Sequence, residues 1–281
     1  MTLRGLFMGL VAAVVLGVVL GVSLAGCATG EQGAPPIAID TRYRAQGQDS
    51  RVQHLVIHFT SETMARSVQI LTQEEVSAHY LVSDEAPPRI YRLVDESQRA
   101  WHAGLSSWRG NTALNASSIG IEIVNAGPSD TAQGRVYAPY PSEQIDLVIS
   151  LVKDIVARHQ IKPERVVGHS DIAPQRKVDP GPRFPWFRLG ELGLIPWPKQ
   201  GRVRAQQTLF AEPGALPDVA WFQRQLAAHG FEVPRHGELD EPTRKVMAAF
   251  QMRYRPQRYD GAPDAETAAL LRVLNTPAEP R

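Results

Sequence analysis

The segment Gln53-His54-Leu55-Val56-Ile57-His58-Phe59 is nearly continuous in apolar β-formers. Such a run fits a strand covered on both faces rather than one lying half in water. A second segment, Ile119-Gly120-Ile121-Glu122-Ile123-Val124, alternates isoleucine on one face with Gly, Glu and Val on the other. Ser77–Ser83 and Arg89–Val94 read as strands joined by an Asp84–Pro88 turn, and Arg165-Val166-Val167-Gly168 reads as a last strand. Between them, residues 63–71 fit a short helix. Ser142 to His159 fit a long one, with Ile145, Val148, Ile149, Val152, Ile155 and Val156 at helical spacing and Ser142 as N-cap. This order predicts an α/β fold, a mixed central sheet with flanking helices.

Beyond His169 the chain changes character. Pro174, Pro180, Pro182 and Pro185 predict a loop from His169 to Trp186. If its middle is extended, Lys177 and Asp179 point to the same side. His58, His169 and Asp179, side chains of the kinds zinc accepts, then sit at strand ends or on a loop beside one, where sites in α/β sheets gather. Three protein ligands with an open fourth position is the catalytic zinc arrangement, whereas structural sites use four.

The N-terminus carries a different signal. Arg4 precedes an apolar stretch from Leu6 to Ser23, and Leu24-Ala25-Gly26-Cys27 follows at once. That tetrapeptide resembles the lipobox of bacterial lipoproteins, in which the signal is cut ahead of the cysteine and the cysteine is acylated. The resemblance implies a signal over residues 1–26, a lipidated Cys27, a tether over 27–50 and attachment to a membrane surface. Ala28 is not the aspartate that holds enteric lipoproteins at the inner membrane, so the outer membrane, facing the periplasm, is expected. Arg4 is the only charge among the first 26 residues, so the remainder holds 29 basic and 29 acidic side chains. A neutral chain lacks the field that nucleic acid binding needs. One cysteine excludes an intramolecular disulfide framework.

A boundary is expected near Pro196-Trp197-Pro198-Lys199-Gln200-Gly201. Three helices are predicted after it. The first carries Trp221, Phe222 and Leu226 and ends at Gly230, the second opens at Asp240-Glu241-Pro242-Thr243, and the third runs from Asp264 to Leu274.

Several motifs now coincide. His58 in Leu-Val-Ile-His-Phe-Thr, Ala78-His79, Trp101-His102-Ala103-Gly104, Ser118-Ile119-Gly120-Ile121-Glu122, and the run from Gly168-His169-Ser170-Asp171 through Lys177 to Asp179-Pro180-Gly181-Pro182 together resemble the zinc-dependent N-acetylmuramoyl-L-alanine amidases of the amidase-2 family. That family shares its fold with peptidoglycan recognition proteins and phage T7 lysozyme. The resemblance covers residues 50–190 and is strongest to outer-membrane lipoprotein members. It implies a zinc amidase domain over 51–197, with His58, His169 and Asp179 as zinc ligands and Glu122 and Lys177 as catalytic groups. Recognition-protein amidases carry a catalytic tyrosine where this chain has Ala78, so Glu122 serves instead. The spacing Phe222-Gln223, Leu226, Gly230, Gly237, Thr243, Phe250-Gln251, Asp260-Gly261 and Thr267 resembles the small three-helix peptidoglycan-binding domain, here over 201–276.

The chemistry agrees with those assignments. Amide hydrolysis at neutral pH needs an activated water and a polarised carbonyl, both of which zinc provides. Glu122 projects from a strand as general base and later acid, with Gly120 on the same face leaving room for a water. Lys177 offers a cation to the developing oxyanion. Trp101 and His102 are candidates to line a glycan or peptide groove, and Arg109 and Asn125 to meet the muramyl or peptide moiety. His79, alternating with apolar neighbours, is expected in the core or behind the site. The expected activity is hydrolysis of the muramoyl–L-alanine amide of peptidoglycan by a lipid-anchored monomer. Two alternatives remain at this point: a non-catalytic peptidoglycan receptor, and a zinc peptidase cutting within the stem peptide.

Overall fold

The computed structural model describes residues 37–132 and 134–276. Residues 1–36, including the apolar run and Cys27, lie outside the described residues. The chain divides into two units, Met1–Gly47 and Gln48–Arg281. In the first, residues 37–47 carry no helix or strand, and Asp40 pairs with Arg42 at 2.6 Å. Among the described residues no helix is long and apolar enough to cross a membrane.

The second unit is built on a five-stranded sheet. Its elements in chain order are β1 (His54–Phe59), α1 (Met64–Gln73), β2 (Tyr80–Val82), β3 (Ile90–Arg92), α2 (Leu114–Ser117), β4 (Ser118–Ile123), β5 (Pro128–Thr131), β6 (Gly134–Tyr137), α3 (Ser142–His159), β7 (Val166–Gly168), α4 (His169–Ile172) and α5 (Trp186–Glu191). The strand order is β3-β2-β4-β1-β7, with β1 parallel to β4 and β7, and β3 antiparallel to β2. The mixed α/β sheet read from the sequence is therefore the fold. β1 is central, which explains its unbroken apolar run: Leu55, Val56 and Ile57 are all fully buried.

One face of the sheet packs on α3. Leu55, Ile57, Ile119, Ile121 and Ile123 meet Ile145, Val148, Ile149, Val152 and Ile155 in one core. Burying each such side chain contributes roughly 1.5–3 kcal/mol, so this stripe anchors the helix. The other face carries His54, Val56 and His58 of β1 opposite Ser118, Gly120 and Glu122 of β4. The same face contributes Val56 and Val167 to a second core shared with the C-terminal helices.

Those helices are α6 (Gln200–Phe210), α7 (Val219–His229), α8 (Glu241–Tyr254) and α9 (Ala265–Asn275). Asp218, Asp240 and Asp264 cap the last three, each accepting from a backbone N–H three residues on. α6 was not expected from the sequence. Only Val203 of it is buried, so it shows little apolar periodicity, and it is held by its packing on α9.

Three further readings are corrected. Ser142 is the first helical residue of α3, and Pro141 occupies the cap position without a side-chain bond. The stretch after His169 is not all loop, because α4 makes one helical turn before Pro174 is reached, and α5 begins just past Pro185. The β5–β6 hairpin was missed, since its residues are mostly exposed and lack an apolar pattern.

Candidate active site

Parallel pairing of β1 with β4 sets His58 directly opposite Glu122. Residues level across a parallel ladder point to the same face, so the pairing register itself puts an imidazole and a carboxylate side by side. β7 lies on the other side of β1 and hands the chain to α4, whose first residue is His169. The loop beyond returns so that the N–H of Ser170 donates to the carbonyl of Asp179 at 2.8 Å. Three donor atoms thereby converge. His58 Nδ1 is 2.9 Å from His169 Nδ1, and Asp179 Oδ2 is 3.1 Å from the first and 3.2 Å from the second. All three residues are buried.

This triangle fits a small, borderline-soft cation. Bonds of about 2.0–2.1 Å to a tetrahedral zinc set neighbouring donors roughly 3.3 Å apart. His169 Nε2 faces the carbonyl of Ala103 at 3.2 Å; Arg176 Nη2 also lies 3.4 Å away but spends its two protons on the carbonyls of Ala103 and Leu105. A carbonyl only accepts, so the proton sits on Nε2 and the Nδ1 lone pair is free for a metal.

Burial, reinforced by neighbouring His169, pushes His58 down to about 4 and keeps it neutral at physiological pH. Burial alone would raise Asp179, but the two imidazoles outweigh it and hold the carboxyl below its ordinary range. Glu122 goes the other way. Burial, then the charge of Asp179, pushes it up to about 8 against the pull of Lys177. Its Oε2 is buried without a partner and its Oε1 lies 3.9 Å from His58 Nδ1. A carboxyl poised near neutrality with an unspent oxygen is what general acid–base work requires.

Glu122, His169, Asp179 and Lys177 line a cavity of about 380 Å³ together with Trp101 and His102. Phe59, Ile70, Leu71 and Val76 give it an apolar side. Trp101 is 53% exposed and offers its indole to solvent at the rim. A larger cleft of about 950 Å³, between the 182–187 segment and α8, is lined by none of these polar groups.

Arg109 and Asn125 lie elsewhere. Arg109 donates to the carbonyl of His229 at 3.0 Å, and Asn125 bridges Pro139 and Gly127 at 2.9 and 2.8 Å, so neither lines the cavity. His79 is locked behind the site, with Nδ1 accepting from the Gly120 N–H at 3.0 Å and Nε2 facing the Gln98 carbonyl at 3.3 Å. Gly120 makes no room for a water: a Cβ there would fall 2.5 Å from Cγ of His102, so the missing side chain accommodates that ring. Ser118 and Asn115 were overlooked in the sequence. Asn115 Oδ1 accepts from the N–H groups of His102 and Ala103 at 3.1 and 2.7 Å, pinning the segment that carries the ring. Ser118 shares a strand face with Gly120 and Glu122, a period-two relation already visible in the sequence.

Comparison with known proteins places this constellation. The sequence model for N-acetylmuramoyl-L-alanine amidase matches residues 48–182, which contain all five polar groups, and one for a peptidoglycan binding domain matches 216–271. N-acetylmuramoyl-L-alanine amidase AmiD of Escherichia coli K12 is 45% identical over 263 residues, covering 89% of this chain and 93% of its own. The structure of E. coli AmiD with anhydro-N-acetylmuramic acid-L-Ala-D-gamma-Glu-L-Lys superposes with a TM-score of 0.77 at 44% identity, over 84% of this chain and 93% of that one. AmpDh3 of Pseudomonas aeruginosa in complex with anhydromuramic pentapeptide gives 0.79 at 39% identity, over 85% and 98%. Fold, cavity and sequence agree that this chain belongs to the amidase-2 family of N-acetylmuramoyl-L-alanine amidases.

Proposed function

We propose that this chain is a zinc-dependent amidase that hydrolyses the bond between N-acetylmuramoyl groups and L-alanine of peptidoglycan stem peptides, tethered by a lipid on Cys27 to the periplasmic side of the outer membrane. The observation that carries the chemistry is Glu122, with its unpartnered Oε2, lining one cavity with Lys177 beside the His58–His169–Asp179 triangle. The chemistry a zinc ion supplies at such a triangle is Lewis acidity, which polarises the scissile carbonyl and acidifies water towards neutral pH.

The rest is done by side chains. Glu122 takes a proton from the attacking water and delivers it to the departing amine, a transfer open to a carboxylate whose Oε2 has no partner. Lys177 lines the same cavity and sets a positive charge against the oxyanion. Trp101, half-exposed at the rim, gives a flat apolar surface on which a sugar ring or methyl group can rest. The C-terminal helices, with their match to a peptidoglycan binding domain, support retention of the enzyme on the wall. A receptor without chemistry would have no use for the Glu122–Lys177 pair.

The deciding experiment is mass spectrometry of a muropeptide digest. Release of free glycan together with an intact peptide beginning at L-alanine is expected. Cleavage within the peptide would make the protein a peptidase instead.

A further inference from the structure

From His58 inward, four polar groups form a chain whose direction is set by its far end. The Ser118 hydroxyl lies 2.5 Å from the carbonyl of Leu114. That carbonyl can only accept, so the single hydroxyl proton is committed to it. Ser118 Oγ also lies 3.2 Å from His102 Nε2, and with its proton already placed it must accept there. The proton of a neutral His102 is therefore on Nε2, and its Nδ1 is bare. Nδ1 of His102 faces His58 Nε2 at 3.0 Å, which makes His58 the donor. A neutral His58 protonated on Nε2 presents a lone pair at Nδ1, the atom that meets His169 and Asp179.

We infer that Ser118 and His102 are positioning residues that fix the tautomer and ring orientation of His58, so that its Nδ1 lone pair is aimed at a metal. The inference rests on the reading of His58, His169 and Asp179 as metal ligands. The surroundings hold the relay in one geometry. The His102 ring stands edge-on to that of His58, with centroids 5.1 Å apart and planes at 86°. It occupies the space over Gly120 that any Cβ would take, and Asn115 pins its backbone. His102 is only 8% exposed, and although its ring borders the cavity both its nitrogens are engaged by His58 and Ser118. His169 needs no such relay, because the Ala103 carbonyl fixes its proton directly.

Two measurements test this. In the zinc-loaded protein, long-range proton–nitrogen NMR of the imidazoles is expected to find His102 protonated on Nε2 and bare on Nδ1. A proton on His102 Nδ1 overturns the relay. Zinc affinity, measured by chelator competition, is then compared between two variants. His102→Leu fills the space without an acceptor, and His102→Asn places an amide oxygen near the position of Nδ1. Loss of such a partner typically weakens metal binding about 10–100-fold, so that loss is expected for His102→Leu, with His102→Asn recovering most of it. Equal affinities in the two variants, both weakened or both like the parent, overturn the inference. Ser118→Ala, a smaller change, is expected to weaken binding less than His102→Leu, and an unchanged affinity removes Ser118 from the relay. Failure of the unmodified protein to bind zinc would instead overturn the ligand assignment itself.

Discussion

Arg253 of α8 and Asp171 of α4 form an ion pair 2.5 Å long, with side chains only 4% and 1% exposed. Asp171 lies two residues beyond His169, and its Oδ2 also accepts from the Gly168 N–H at 2.8 Å. Arg253 donates in addition to the carbonyl of Val166 at 3.0 Å, and its guanidinium lies 4.1 Å from the ring centroid of Trp186. One C-terminal arginine therefore grips the start of β7 and the turn of helix that delivers a metal-ligand candidate. The helices after residue 200 also share a core with Val56, Val167 and Ile172, so they brace the site from behind.

Removing one partner of a buried pair strands the other charge, at a cost of about 3–5 kcal/mol. Burial already raises the pKa of Asp171 against the pull of Arg253, so the carboxylate depends on its arginine. Arg253→Met should lower the unfolding free energy from chemical denaturation by an amount in that range, and Asp171→Asn combined with it should restore much of the loss. A stability indistinguishable from the parent would show that the pair is idle. By the same reasoning, a fragment ending before Gln200 should lose zinc affinity and cleavage of small muropeptides along with sacculus binding.

The metal and the chemistry should separate by mutation. Asp179→Ala removes a donor from the triangle and should abolish zinc retention. His79→Ala removes a partner of the Gly120 N–H behind the site and should reduce stability more than metal content. Glu122→Gln and Lys177→Ala should keep zinc and lose kcat, by about 10²–10⁴-fold and 10²–10³-fold respectively. Zinc analysis by mass spectrometry alongside steady-state kinetics checks all four, and zinc loss in Glu122→Gln would place that carboxylate among the ligands.

The sequence disclosed what depends on local pattern. β1 and α3 were legible because full burial writes an unbroken apolar run and helical contact writes a 3.6-residue period. His58, His169, Asp179, Glu122 and Lys177 stood out through motif resemblance, and the structure gathers them around one cavity. What was hidden depends on contacts distant along the chain. Gly120 invited a solvent reading because nothing local reveals that the ring of His102 fills its space. Arg109 resembled a binding residue until His229, 120 positions away, claimed it. α6 lacks an apolar stripe, because it is held at a surface by α9 rather than driven into a core.

Attachment through Cys27 has a direct test. Cys27→Ser should abolish labelling by a fatty acid probe and release the protein from membranes, because Leu6–Ser23 is the only apolar stretch in the sequence of membrane-spanning length. Activity of the soluble variant on small muropeptides should be unchanged, since the cavity is built from residues 59–179. Tight attachment that survives the substitution would mean that the stretch is retained as a helix.

Glu96 gives a pH dependence that is independent of the metal. Its carboxylate receives Nη1 and Nη2 of Arg158 at 2.5 and 2.8 Å, the Tyr80 hydroxyl at 2.6 Å and His159 Nε2 at 2.8 Å, tying β2 to the end of α3. The hydrogen bond from Arg158 is the largest influence and, with those from Tyr80 and His159, overcomes burial to bring Glu96 down to about 2 from its usual 4.5. A folded-state value below the unfolded one means that the unfolded chain takes up the proton first on acidification. The contribution is therefore complete above about pH 4.5 and disappears as pH falls through about 2. Arg158 is 42% exposed, so solvent screens the pair and the contribution is nearer ~1 kcal/mol than the full shift implies. Glu96→Gln should be destabilised by about that amount at pH 7 in chemical denaturation, and the gap to the parent should close between pH 5 and pH 2. A gap that stays constant over that interval would show that Glu96 titrates normally in the folded protein.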